Sequence, residues 1–486
     1  MTQPTLDEPG SGTGDGRQPS AGVAPVKWKR PRWAPFAVVA AGLVAVLLAV
    51  VTGVHAAGGS HSTQPLAAGV PVQSPAQANS GTSAADPVAA DPVAADPVAA
   101  DIARQQATLR RVPGAYDAWA VLGLDYVQQA KIKVDPAYYP KAQGSLARSL
   151  ALNSTTNVAG FAGQAALKAA QHDFAAARSW AQRGLRVDPA NAVLVATLND
   201  ADTQLGRYAE AFAAADRLNR LHPGVPAFTR AEYVYELRGD IARAEAAMRL
   251  ALDSAQSPAD TAFAQYYLGE LAFGRGDAAA SLRFNEAGLA ADPAYLPLLE
   301  GKARAEAALG RVADAVRDYA QVVRDVPQPQ YVIEAGEYLQ SVGRIKAAQQ
   351  MYRLFEVEAR LFTANGVTLD TDPTLFYADH GDAAKAVAAG VVGIGIRPFI
   401  EMDDAYAWAL HRAGRDREAL GWERKAMALG TRNALFFFHA GMIELALGDR
   451  LAARADLERA FAINPHFSPL HEPQARRTLA MLAAAR

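Results

Sequence analysis

From about residue 115 onward, apolar side chains recur at helical spacing rather than in strand-like alternation. In the stretch EAALGRVADAVRDYAQVVRDVP, Ala315, Tyr319, Val322 and Val323 fall at i, i+4, i+7 and i+8, one stripe of an amphipathic helix. Gly310 stops the helix before it and Pro327 follows it, so the unit is helix, tight turn, helix. The same arrangement stands at DTQLGRYAEAFAAADRLNRLHP, which begins at Asp202.

Turn glycines of this kind recur at Gly206, Gly239, Gly276, Gly310, Gly343, Gly381, Gly414 and Gly448, with a period of about 34 residues, that of a two-helix repeat. The pairs Pro189 and Pro223, and again Pro293 and Pro327, keep the same period. A two-helix unit with this period predicts an all-α solenoid, because one unit cannot bury its apolar face without its neighbours. Nine or ten units cover residues 115 to about 465, and the repeat domain is placed at 102–465. The segment 466–486 ends in PQARRTLAMLAAAR, a short helix opened by Pro473 and placed to cover the open face of the last unit.

The sequence resembles the tetratricopeptide repeat (TPR) family, whose first helix carries W-x2-L-G-x2-Y. Trp119, Leu122, Gly123 and Tyr126 match that half in full. Later units match in part: Leu268-Gly269 with Gly276-Asp277 and Pro293, Ala211 with Pro223, and Ala440-Gly441 with Gly448, Ala453, Leu457, Ala460 and Pro465. The register departs from the family around KIKVDPAYYP and again near 364–398, where a long second helix and ANGVTLDTDP precede the unit.

A different pattern stands at the N-terminus. Residues 34–54, APFAVVAAGLVAVLLAVVTGV, form an apolar run without a charge, long enough as a helix for a hydrocarbon core of about 30 Å. Lys27, Lys29, Arg30 and Arg32 precede it, with Trp28 and Trp33 at the interface, and the next basic residue is Arg104. The positive-inside rule then puts the N-terminus in the cytoplasm and the repeats outside, on a single-pass cytoplasmic-membrane anchor of bacterial type. A cleaved signal peptide ending at Val54-His55-Ala56 is the alternative; the length of the run and the long segment before it favour an uncleaved anchor. Residues 1–33 are expected to be a disordered tail and 55–101 a disordered linker, a stalk that includes DPVAADPVAADPVAAD.

Composition narrows the function. Lys plus Arg number 48 against 50 Asp plus Glu, a formal charge of −2, so no basic field points to nucleic acid. Cysteine is absent, which removes disulfides, thiolate metal sites and cysteine nucleophiles. His471-Glu472 opens like H-E-x-x-H, but Pro473, Gln474 and Ala475 follow, so the second ligand is missing and no metal is expected. Gly390, Gly393 and Gly395 fall in a second repeat helix and at its exit, where small residues allow close packing, with no strand before them to make a phosphate loop. Asp370 and Asp372 lack the glycine and distal glutamate of a calcium loop, and Asp372 or Thr371 is read as a helix N-cap. No G-x-S-x-G is present, and no cofactor and no catalysis are expected.

What the TPR resemblance implies is a ligand groove lined by the first helix of each unit. Counted from the turn glycines, the corresponding positions are Asp200, Tyr233, Glu236, Tyr266, Glu270, Glu300, Arg304, Glu337, Gln340, Trp408, His411, Phe438 and Met442. Tyr233, Tyr266, Glu270, Arg304, Glu337, Trp408 and Phe438 are the expected partner-binding residues. The set is aromatic and acidic and lacks the Lys and Asn constellation with which chaperone-binding members clamp a C-terminal carboxylate. The expected function is a membrane-anchored scaffold that binds a protein or peptide partner. The alternatives are an accessory subunit of a membrane transport or secretion assembly, and an enzyme with a site in the irregular 364–400 region.

Overall fold

The structure, a computed structural model, describes residues 97–133, 137–364 and 369–484. The expected tail, apolar run 34–54 and most of the linker lie outside the described residues. Among the described residues there are twenty-two helices and no strand, and no helix is long and apolar enough to cross a membrane.

The first helix, α1 (Pro97–Arg111), starts inside the last DPVAA unit of the expected linker and precedes ten hairpins. These pair α2 (Tyr116–Lys133) with α3 (Tyr138–Leu152), α4 (Val158–Ala170) with α5 (Phe174–Val187), α6 (Ala192–Gln204) with α7 (Tyr208–Leu221), and α8 (Val225–Leu237) with α9 (Ile241–Asp253). They continue with α10 (Pro258–Gly274) and α11 (Ala278–Ala291), α12 (Leu296–Ala308) and α13 (Val312–Asp325), and α14 (Pro329–Ser341) and α15 (Ile345–Ala364). The last three are α16 (Thr371–Asp379) with α17 (Ala383–Ile396), α18 (Ile400–Arg412) with α19 (Asp416–Ala426), and α20 (Ala434–Ala446) with α21 (Arg450–Ile463). A final helix, α22 (Glu472–Ala484), buries Ala475 and Leu482 in the same core cluster as Leu457 and Phe438, and so covers the last hairpin.

The turn inside each hairpin follows from two adjacent residues. All eight turn glycines have positive φ, between +66° at Gly206 and +97° at Gly381, the left-handed region that a Cβ disfavours. Where aspartate follows, as in Gly239-Asp240 and Gly276-Asp277, its amide closes the first helix by donating to a carbonyl five residues back. Its carboxylate then caps the second helix, with Asp240 accepting from the Arg243 amide (3.2 Å) and Asp277 from that of Ala280 (2.9 Å). His172 holds the same place in the α4/α5 turn, one repeat before Gly206, and takes φ +61° without being glycine. At the start of α16 the cap is Asp370, whose carboxylate accepts from the Thr371 amide (2.6 Å), rather than Asp372 or Thr371.

Small residues set the distance between paired helices. Ala177, Ala211, Ala244, Ala315, Ala348, Ala386, Ala419 and Ala453 recur near the start of the second helices and none is more than 1% exposed. On the first helices, a Cβ at Gly123 would stand 2.5 Å from Leu146 Cγ and one at Gly441 would stand 2.9 Å from Leu457 Cγ, so these leucines fill the space that the glycines leave. Gly390 and Gly393 do the same for Tyr406 and Met402, while Gly395 faces no such neighbour.

The array also touches itself at long range. Ile400 N donates to Tyr208 Oη (2.8 Å), Thr431 Oγ1 to the Leu237 carbonyl (2.6 Å) and Asn464 Nδ2 to the Phe273 carbonyl (2.9 Å). These pairs are 192, 194 and 191 residues apart, so the turns of three successive hairpins meet the links that follow the hairpins five places later. Leu237, Ile400, Ala426 and Phe436, with Tyr208, Phe212 and Tyr233 against them, make an apolar seam at this contact.

Candidate functional site

The first helices of the hairpins supply most of the cavity lining, and the repeat length puts one chemistry at equivalent places. Glu236, Glu270 and Arg304 follow one another one repeat apart, as do Tyr266, Glu300 and Glu334. With α18 brought back beside α8, Glu236, Glu270 and Tyr266 border one cavity and Arg304 and Glu334 a second.

The first cavity, about 430 Å³, has Asp200, Arg230, Glu232, Tyr233, Glu236, Tyr266, Tyr267 and Glu270 on one side and Asp372, Arg397, Phe399 and Glu401 on the other. Its two arginines are already committed. Arg230 grips Asp200 through Nε (2.8 Å) and Nη2 (2.6 Å), and Arg397 Nη2 holds Asp370 Oδ1 at 2.8 Å. Tyr233 Oη donates to Glu401 Oε1 (3.0 Å), a bond between helices 168 residues apart in sequence. Burial, followed by the charge of Glu401, pushes the Glu236 carboxyl up from 4.5 to about 7. Burial and then Asp370 raise Asp372 from 3.8 to about 7. Glu232 and Glu401 are pushed up as well, with burial the leading cause for each.

The second cavity, about 640 Å³, shares Gln330 and Asp372 with the first and continues past Arg304, Glu334, Glu337 and Asp379 to His439, His466 and His471. Arg304 pairs with Glu270 and lies over the Phe273 ring at 4.8 Å, with Glu300 Oε1 at 3.5 Å from its Nε. Glu337 is within 3.5 Å of His380 Nε2.

The residues singled out from sequence separate into two groups. Tyr233, Tyr266 and Glu270 border the first cavity, and Arg304 and Glu337 the second. Trp408 and Phe438, 1% and 0% exposed, do not line a groove; they are core side chains. The reason is the C-terminal segment, which lies over this end of the array: His471 stacks on Phe438 at 4.8 Å and Phe467 packs at 5.6 Å. Trp408 stacks on His439 at 4.3 Å and donates from Nε1 to Asp379 Oδ1 at 2.7 Å. His471 Nε2 lies 3.2 Å from the other oxygen of Asp379.

Counting one or two positions from each turn glycine did not bring in Glu232, Glu334, Asp372 and Glu401. The first two lie one repeat before Tyr266 and one after Glu300, so the repeat period itself was the signal that could have found them. Among the described residues, one trio of acidic and imidazole groups is close enough to hold a metal ion. It comprises Asp404, Glu423 and His439, with ligand atoms within 4.8 Å of one another. There His439 Nδ1 and Asp404 Oδ1 are 2.7 Å apart.

No protein-family model matches the chain, and no curated protein matches it. Among solved structures, it is similar to a tetratricopeptide repeat protein from Parabacteroides merdae, at 15% identity over 53% of this chain and 98% of that one, with a TM-score of 0.32. Yeast Tom70 is similar at 12% identity over 76% of this chain and 96% of its own, with a TM-score of 0.31. The human IFIT1 dimer with PPP-AAAA is similar at 12% identity, covering 76% and 95%, with a TM-score of 0.40. At such scores the description of the array rests on its own hairpins, turns and period.

Proposed function

We propose that the chain is a TPR-type scaffold that captures a protein partner on the inner face of its first helices, and that residues 34–54 anchor it in the cytoplasmic membrane with the repeats outside. The observation that carries the reading is the inner face itself. Side chains from α6, α8, α10, α14, α16 and α18 converge on one cavity, and those of α12, α14, α16 and α20 on the next. Many modest contacts on such a preformed wall add up without a large ordering cost. The irregular region favours this reading over an enzyme. Asp370 is occupied as a helix cap and with Arg397, and Gly390 and Gly393 with helix packing. The anchor supports attachment by the basic flank and the length of the apolar run; the same segment could contact a membrane assembly, which would make the chain an accessory subunit.

The test is site-specific photocrosslinking in intact cells from Gln330, which borders both cavities, and from Arg249, an exposed position on the second helix α9. Capture of one protein from Gln330 and not from Arg249 is expected. Capture from Arg249 alone moves the binding face to the outside and ends the inner-face assignment.

A further inference from the structure

The charges around the first cavity do not balance. Asp200 is matched by Arg230, Glu270 by Arg304 and Arg397 by Asp370, all as ion pairs. Glu232, Glu236, Asp372 and Glu401 remain, and among the described residues none of them has a Lys, Arg or His within ion-pair distance. Glu232 is 2% exposed and borders the cavity, yet its Oε1 has no hydrogen-bond partner, and neither has Glu401 Oε2. A buried carboxylate left unpaired is a costly arrangement, and here several border one cavity.

The chemistry of the missing counter-charge follows from spacing and from the rest of the wall. Among the described residues the one trio of groups close enough for a metal ion lies elsewhere, at Asp404, Glu423 and His439, so no three of the cavity carboxylates come together as ligands of one ion. A larger cation with several N–H donors spans such distances. Tyr233, Tyr266 and Tyr267 stand among the acids on the same lining, with Tyr266 and Tyr267 edge to face at 5.1 Å, and aromatic rings attract ammonium and guanidinium groups. We propose that this cavity binds an organic cation, an ammonium or guanidinium group, with Glu232, Glu236 and Glu401 as its counter-charges and the three tyrosines as its aromatic wall. The proposal deepens the scaffold reading and rests on the same inner face. The cation is a Lys or Arg side chain presented by the partner, or a free polyamine with the same chemistry.

The experiment is calorimetry on the full chain in lipid nanodiscs with two probes, spermidine and N-acetyl-argininamide, alongside Glu232→Gln, Glu401→Gln and, as a surface control, Glu458→Gln. Saturable binding of at least one probe is expected, weakened by sodium chloride. Each cavity variant should weaken it about tenfold or more, the loss of one charge-assisted hydrogen bond. The control should match the parent. Glu232→Gln should melt no lower than the parent, because it keeps the shape of a carboxyl that burial already pushes toward its neutral form; a structural glutamate would behave in the opposite way. Tighter spermidine binding assigns the site to a free polyamine, and tighter argininamide binding assigns it to a partner side chain. No saturable binding of either probe, or parent affinity in Glu232→Gln, overturns the proposal. Crosslinked partner with no probe binding removes the cation site and leaves the scaffold; probe binding with no partner removes the scaffold and leaves the site.

Discussion

Replacing Gly239 and Gly310 separately by alanine measures what the long-range contact contributes. Both glycines have nearly the same backbone, φ +69° and +73°. A Cβ in that conformation costs about 1–2 kcal/mol for either residue. At Gly310 nothing lies within 4 Å of the new methyl, so the cost stops there. At Gly239 the methyl would sit 2.3 Å from the Gly430 carbonyl oxygen and 3.2 Å from Arg432 Cγ. Backbone must give way, and forcing such a shift costs a further ~1–3 kcal/mol. Urea denaturation followed by circular dichroism should therefore show Gly239→Ala less stable than Gly310→Ala by ~1–3 kcal/mol. Hydrogen exchange locates the difference. In Gly239→Ala the Ile400 amide, bonded to Tyr208 Oη, should exchange faster, whereas Gly310→Ala should loosen only α12, α13 and their neighbours. Equal destabilisation, with protection at residues 398–436 unchanged in both variants, would refute the contact.

Acidity gives a second measurement. Glu236, at about 7 in the fold against an ordinary 4.5, adds stability that is full below 4.5 and is lost as pH rises through 7, and Asp372 acts in the same direction. With Arg230, Arg304 and Arg397 already paired, nothing facing these groups reverses the sign, so the urea midpoint should fall between pH 5.5 and 7.5; a rising midpoint would show that they are ionised and matched. Trp408→Ala should cost ~3–5 kcal/mol as a core truncation and lower the melting temperature, whereas unchanged melting with lost partner capture would make Trp408 a contact residue after all. Protease added to spheroplasts should remove the repeats and spare the segment ahead of the apolar run; protected repeats would reverse the proposed orientation.

The local chemistry of the array was legible before any coordinates. The turn glycines were read from their recurrence at about 34 residues, and all eight take a left-handed backbone. The cover of the last hairpin was legible from Pro473 and the apolar positions after it, and α22 stands there. His172 was not legible, since a histidine gives no sign of a left-handed turn except by its distance from Gly206. Trp408 and Phe438 were misplaced for a related reason. Counting from a turn glycine fixes where a side chain lies on its own helix, but not whether residues 464–471 come to lie over it. The return of α18 onto α8 leaves no local trace, because it depends on the small rotation between neighbouring units accumulated over five hairpins. Glu401 consequently had no visible connection with Glu232 or Tyr233 until the fold brought them to one cavity.

That return joins the two proposals in one equilibrium. Glu232 and Glu236 stand on α8 and Glu401 on α18, so an organic cation between them attracts both sides of the long-range contact, where Tyr233 and Glu401 already bond. Without the cation, burial and their acidic neighbours hold the same carboxyls toward the protonated form. Binding should thus tighten the contact, and by reciprocity anything that loosens the contact should weaken binding. The methyl added by Gly239→Ala meets Gly430 and Arg432, neither of which lines the cavity, yet the variant should lower spermidine affinity by about fivefold or more, the lower end of ordinary coupling between sites. Gly310→Ala, with a similar backbone cost and no part in the contact, should leave affinity as it is. In the parent, spermidine should slow exchange at the Ile400 amide and leave that of α2 and α3 unchanged. Parent affinity in Gly239→Ala, together with unaltered exchange at Ile400, would show that the cavity keeps its shape without the contact and that the two features are independent.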